Sequence, residues 1–309
     1  MSETFLEPKK YELALDDFIE ESGHKLFRIR ALRDFDEVKA GDLGGYIERE
    51  ANLSHSGSYW VYGDAWVLEN AQVDDDAQIW DKARVSGNAQ VLGYACVSGE
   101  GQVSGHACVS GEVRVSGNAQ VLGYACVSGE GQVSGHACVS GEARVSGKAR
   151  VLEQARVSED ARILERAHVL GKAWVLGYAC VSGEGQVLGR AQIVGSAHIS
   201  GHACVSGEAQ VFGKAEVSGR THLSGNARVS SDQDFIDFSH FRGIALTIYR
   251  ARSGEIEVKH ETFCGPSEAF LQRVVEQHGD SDTTQDYRHL IEFAQRHLQA
   301  NSSLPEFSA

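Results

Sequence analysis

VSGNAQVLGYACVSGEGQVSGHACVSGE fills residues 85–112, and the same 28 letters return at 115–142. A chain that copies itself at a short offset is built from a unit, and finding the unit comes before weighing any motif. Outward in both directions, an aliphatic residue falls on every sixth position: Val61, Val67, Val73, Ile79, Val85 and onward through Leu223 to Val229. That makes 28 full hexads from Val61 to Arg228, with consensus V-S-G-x-A-x. The fifth position is nearly always Ala (Ala65, Ala71, Ala89, Ala95), and the third is usually Gly.

In A-C-V-S the two-residue alternation of a strand sends Ala and Val to one face and Cys and Ser to the other. The G-x pair then turns a corner, since Gly adopts backbone angles that other residues avoid. Three such strands close a triangular coil of three hexads, with valines inside and alanines beside the corners. One hexad buries almost nothing, so stability must come from coils stacked at about 4.8 Å and hydrogen-bonded to one another. The offset of the copy is five hexads, not a multiple of three, so the copied side chains land on different walls and Tyr94 and Tyr124 do not stack. A copy that keeps the core and scrambles the surface reads as a spacer, because a reactive site needs fixed side chains.

On these residues the chain resembles the hexapeptide-repeat, left-handed parallel β-helix proteins. The period alone leaves the hand of the coil open; the resemblance implies left. The segment DFDEVKAGDLGGYIEREANLSHSGSYWVYGDAWV at 34–67 resembles the entry segment of a bacterial and phage-borne group often labelled acyltransferases. The fold expected is mainly β: a single-stranded parallel β-helix at 61–230, an N-terminal β cap with an imperfect first coil at 1–60, and a small C-terminal α+β module at 231–309. In the cap, KLFRIRALRDF reads as strand and Gly44–Gly45 as a turn. Ile47 and Leu53 keep the hexad spacing before it slips by two at Tyr59–Trp60. Tyr62, Trp66 and Trp80 form a cluster for residues 1–46 to cover. In the C-terminal module, ALTIYRARSGEIEVKHETF reads as a hairpin turning at Ser253–Gly254. Two helices follow, SEAFLQRVVEQH and TTQDYRHLIEFAQRHLQ, the second with Tyr287, Leu290, Ile291, Ala294 and Leu298 on one face.

The net charge of -14 argues against nucleic acid as the main partner. No apolar run is long enough to span a membrane, and MSETFLEPKKYELALDDF carries acids where a signal peptide is apolar, which together predict a cytoplasmic protein without a membrane partner. The resemblance implies an acyl-CoA-dependent acyltransferase with a catalytic His on a loop leaving the coil. No such excursion interrupts 61–229, and the prolines are Pro8, Pro266 and Pro305. His168, His198 and His222 sit at outward sixth positions and read as surface imidazoles, so no catalytic residue and no cofactor is assigned.

Metal is weighed at His106/Cys108, His136/Cys138 and His202/Cys204. Cys108 and Cys126, three hexads apart, share a wall close enough for a soft-metal patch with His106 or for a disulfide, yet the pattern of three converging ligands is missing, and free thiols are the expectation. Arg144 and Arg162, also three hexads apart, mark a weak site for a small anion or nucleotide, with Glu142 and Asp160 near enough to neutralise them. The clearest departure from the consensus lies just after the core aliphatic residue. Leu152, Leu170 and Leu188 replace serine on one wall, with Trp174 beside them, and Leu176, Val194 and Phe212 do so on the next; the third carries Leu164, Ser182, Ser200 and Ser218. Two apolar ladders predict a homo-oligomer, with a trimer favoured by the resemblance, or burial under the C-terminal hairpin and helices. The sequence thus predicts a non-catalytic structural or binding β-helix that assembles with itself or displays its C-terminal module to a protein partner; the alternatives are the acyl-CoA-dependent acyltransferase and a phage-type binder of a small anionic ligand or nucleotide.

Overall fold

Alternation within each hexad produces two-residue strands separated by corners in the computed structural model, which describes residues 8–238 and 245–300. The chain separates into two units, 1–154 and 155–309. In the first unit each short strand pairs in parallel with the one three hexads on. Cys96–Val97 meets Arg114–Val115, Gln102–Val103 meets Gln120–Val121, and Cys108–Val109 meets Cys126–Val127. Three hexads therefore make one coil with three walls. Core valines and alanines such as Val103, Ala107 and Val109 are fully buried, and coils are joined by bonds such as Gln102 N–H to Ala119 O at 2.9 Å. The corner tolerates little beyond glycine: a Cβ on Gly87, whose φ is +71°, would stand 2.7 Å from the Gly105 carbonyl oxygen of the next coil.

The N-terminal cap is an antiparallel meander of β1 (Tyr11–Glu21), β2 (His24–Ala31) and β3 (Leu43–Ile47), and β3 then pairs in parallel with Trp66–Val67. The β1–β2 turn is tight, with Ser22 and Gly23 at φ of 50° and 85°. Gly44 and Gly45 make no turn; both lie inside β3. Close approach explains them. A Cβ on Gly44 would come within 2.6 Å of the Val61 oxygen, and one on Gly45 within 2.5 Å of the Ala65 oxygen, so only bare backbone lets the cap seat on the first coil. The slipped first coil is present, with Ile47 opposite Val67, Leu53 bridging Val73, and Val61 opposite Ile79. The cap covers Trp66 with Ile19, Leu26 and Tyr46, while Tyr62 and Trp80 stack at 3.6 Å. Burial, with Asp36 and Glu37 adding, pushes the Tyr62 phenol up to about 12.

The second unit repeats the same three-walled coil, with Trp174 between Arg156 and Gln192, Cys180 between Arg162 and His198, and Gln186 between His168 and Cys204. The expected hairpin is one part of a four-stranded antiparallel sheet, β4 (Phe235–Asp237), β5 (Leu246–Arg250), β6 (Ile256–His260) and β7 (Phe263–Pro266). Helices α1 (Ser267–His278) and α2 (Asp282–Ala300) pack on it. Their shared core includes Ile248, Val258, Phe270, Tyr287, Ile291 and Leu298, which takes in most of the α2 face read from the sequence. No helix among the described residues is long and apolar enough to cross a membrane.

Candidate functional site

Two of the histidines weighed as metal ligands, His106 and His202, have other partners. His106 stands at a corner, where it stacks on Tyr124 with ring centres 4.7 Å apart and bonds Asn88 at 3.3 Å; Asn88 in turn accepts from Asn70. The offset argument holds here, since the ring opposite Tyr124 is His106 and not Tyr94. Cys108 and Cys126 are in register as free thiols, and burial, followed by the neighbouring Cys108, pushes the Cys126 thiol up. A raised thiol stays protonated at neutral pH and is a poor metal ligand or nucleophile. His202 is held by Glu184 at 3.1 Å. Among the described residues no group of three His, Cys, Asp or Glu is placed to hold a metal ion. Arg144 is exposed beside Cys126 in the first unit, and Arg162 is exposed beside Cys180 in the second.

In the apolar ladders, Leu152 closes the first unit half-exposed. In the second unit Leu170, Leu188, Leu176 and Val194 are half-exposed, and Trp174 is 37% exposed. Trp174 belongs to the wall of Leu176, not that of Leu170, and lies against Arg156 with the guanidinium 5.8 Å from the ring centre. Phe212 differs, being buried at 6% with Arg228 over its ring, so it serves the chain's own packing. His198 and His222 are exposed and His168 is half-buried on the second unit's walls.

The strongest chemistry lies in the first unit, at residues the repeat does not flag. The β1–β2 tip and the Trp66 wall enclose a groove of about 400 Å³, lined by Glu21, His24, Trp66, Glu69, Arg84 and Gln102 among others. That volume lies within the range of small-molecule sites. His24 heads β2, directly after the tight turn, which fixes its direction. Its Nδ1 is 3.2 Å from Glu48 Oε1, and Glu48 Oε2 accepts the Glu69 N–H at 2.5 Å. Burial raises the Glu48 carboxyl, but the Glu69 N–H and His24 outweigh it and hold the group below the usual carboxylate range. Glu48 thus stays ionised and accepts from His24 Nδ1–H, which turns Nε2 toward the groove.

Nε2 points to Glu69, whose Oε1 is 3.8 Å away while its Oε2 accepts the Gly87 N–H. Farther along the wall the Arg84 guanidinium lies 4.3 Å over the Trp66 ring, and Ser86, Gln102 and Ser104 complete a polar floor. An imidazole oriented by one carboxylate and lining a groove beside a second is the kind of arrangement that supplies general acid–base chemistry. Sequence reading missed it because His24 lies outside the period and meets Glu48, just after Ile47 in the slipped first coil, only through strand pairing. Glu69 occupies a corner station usually held by glycine, at φ of 59°, but acids stand at five other corners as well, so the station does not single it out.

No family model matches the sequence, and no curated protein matches it. Among solved structures, a UDP-N-acetylglucosamine acyltransferase from Campylobacter jejuni is similar at 12% identity over 84% of this chain and 91% of that one, with a TM-score of 0.24. A likeness of that size leaves the function to be argued from the groove itself.

Proposed function

We propose that this chain is an acyltransferase that moves an acyl group from a thioester to an acceptor held in the N-terminal groove. One observation carries the reading: His24, oriented by the ionised Glu48, presents Nε2 to the groove. Attack on the thioester carbonyl requires the nucleophile to lose a proton as its bond to carbon forms, and Nε2 is placed to receive it. Glu48 stabilises the imidazolium that results, and the proton passes to the departing thiolate as the carbon–sulfur bond breaks. The test is thiol release from acetyl-CoA with a panel of small amines and alcohols. His24→Ala should lower kcat by roughly 10²- to 10⁴-fold, the usual contribution of a positioned general base, with KM for acetyl-CoA little changed. Glu48→Gln should also lower kcat, since an amide cannot hold the imidazolium. A wild type that turns over no acceptor, or a His24→Ala variant as active as wild type, overturns the reading.

Self-assembly through the second unit's ladders is a second reading, favoured by the half-exposed Leu170, Leu176, Leu188 and Val194 and by the exposed Trp174. The two readings are compatible, because the groove and these ladders share no residue.

A further inference from the structure

We infer that Cys264 is a redox-modification site, a thiol that a small hydroperoxide converts to a sulfenic acid with Glu257 as the proton donor. The site lies within the second unit, shares no residue with the N-terminal groove and needs nothing from the acyl-transfer reading. Of the seven cysteines, six stand at outward stations of the repeat and are half-buried; Cys264, on β7, is the exposed one. Strand pairing sets Tyr249 of β5 opposite Glu257 of β6, and Lys259 opposite Cys264 of β7. Alternation puts these four on one face of the sheet, while Ile248 and Val258 on the other join the core of the helices. The polar face meets the coil at Ser224–Gly225. Ser224 Oγ donates to Cys264 Sγ at 3.1 Å, and the Tyr249 hydroxyl lies 3.4 Å from both. Burial, followed by the bond to Cys264, pushes the Tyr249 phenol up, so it keeps the proton that it offers. Hydroxyl donors aimed at a sulfur stabilise the thiolate when it forms.

Glu257 completes the site. A Cβ on Gly225 would stand 3.0 Å from Cys264 Sγ and 3.1 Å from Glu257 Oε2, so the sulfur and the carboxyl oxygen flank the same bare corner. That oxygen is buried and has no hydrogen-bond partner among the described residues. Buried polar atoms are rarely left so, and this one calls for a small polar guest. Hydrogen peroxide suits it, with one oxygen to bond the carboxyl and the other to face the sulfur. Burial, opposed by an Asn226 N–H and helped by Glu255, raises the Glu257 carboxyl toward the form that can donate a proton. The step balances. The Cys264 S–H proton passes to water, and the S–O bond forms as the O–O bond breaks. Sulfur gives up two electrons; the departing oxygen takes them, receives a proton from Glu257 and leaves as water. Glu257 regains its proton from solvent.

The test exposes the full-length protein to hydrogen peroxide in small molar excess, traps sulfenic acid with dimedone and follows all seven cysteines by peptide mass. Cys264 should be trapped about tenfold or more faster than any other, because burial keeps wall thiols such as Cys96, Cys126, Cys180 and Cys204 protonated. Glu257→Gln should slow the reaction of Cys264 with peroxide by about tenfold or more, the scale of a lost proton donor. The same variant should leave alkylation of Cys264 by iodoacetamide nearly unchanged, since iodide departs without a proton. Melting curves check that the variant is folded; if it is not, Glu257→Asp, which keeps the acid but withdraws it from the corner, is read with the same two reagents. Trapping of Cys264 no faster than that of the wall cysteines overturns the inference. So does a folded variant that slows peroxide and iodoacetamide alike, or one that slows neither.

Discussion

Lys10 shows how far a single residue's setting can depart from its letter. It opens a polar stretch, KYE, yet its side chain is fully buried, with Nζ donating to the Tyr59 carbonyl at 2.9 Å and lying 3.3 Å from the Tyr59 ring centre. Burial, with Arg33 adding and Asp74 and Asp76 opposing, pulls the amine down to about 7. A base whose folded pKa lies below its unfolded value, about 10.4 for lysine, leaves the unfolded chain holding more protons between those limits, so stability rises with pH across that window. Thermal unfolding of the wild type should therefore shift upward from about pH 7 to about pH 9, and Lys10→Met should flatten the rise. Parallel pH profiles for the two proteins would show that the buried amine carries no such penalty. Nothing in the sequence marks this site, because the setting of Lys10 depends on Phe35 and Tyr59 arriving from elsewhere. His24 and Glu48 were hidden for the same reason: a pair far apart along the chain, brought together by strand pairing, has no local signature.

At the scale of the element, the corner and the cap joint follow one rule, that backbone must approach backbone. Most corners meet it with glycine; six carry an acid at positive φ, namely Glu69, Asp75, Asp81, Glu153, Glu159 and Glu165. A side chain in that conformation costs roughly 1–2 kcal/mol, and a carboxylate can offset it. Asp75, Asp81 and Glu165 accept the N–H of the glycine one coil on, at 3.1, 3.0 and 2.6 Å. The glycine corners were legible because their cause is local. Gly44 and Gly45 were misread as a turn because theirs is a neighbour supplied by residues 61–65. Gly45→Ala should accordingly lower stability by about 1–3 kcal/mol, the range for inserting atoms into packed structure, and should loosen the β3 seat beside Glu48. Denaturant unfolding with an unchanged midpoint would mean that the cap does not need that contact.

For the whole molecule, the repeat made the fold readable and the function hard to find. Hexad periodicity specifies coil, wall and core by spacing alone, so the strand pairs three hexads apart could be written down in advance. The same periodicity says nothing about the outward positions, where copies rotate from wall to wall and where association would be decided. In the second unit those positions hold Leu170 and Leu188 on one wall and Leu176 and Val194 on another, none of them fully covered by the chain itself. If they meet a second copy, full burial stabilises the contact by roughly 1.5–3 kcal/mol per side chain. A charge at those stations should then oppose association far more than folding, since Val169 and Val187 beneath them remain fully buried. Leu170→Glu combined with Leu188→Glu should convert an oligomer to monomer in sedimentation velocity with a nearly unchanged melting curve. A monomeric wild type ends the assembly reading outright. An oligomeric wild type whose double variant unfolds would instead assign the leucines to the stability of the coil, and the contact between copies would have to be sought on another wall.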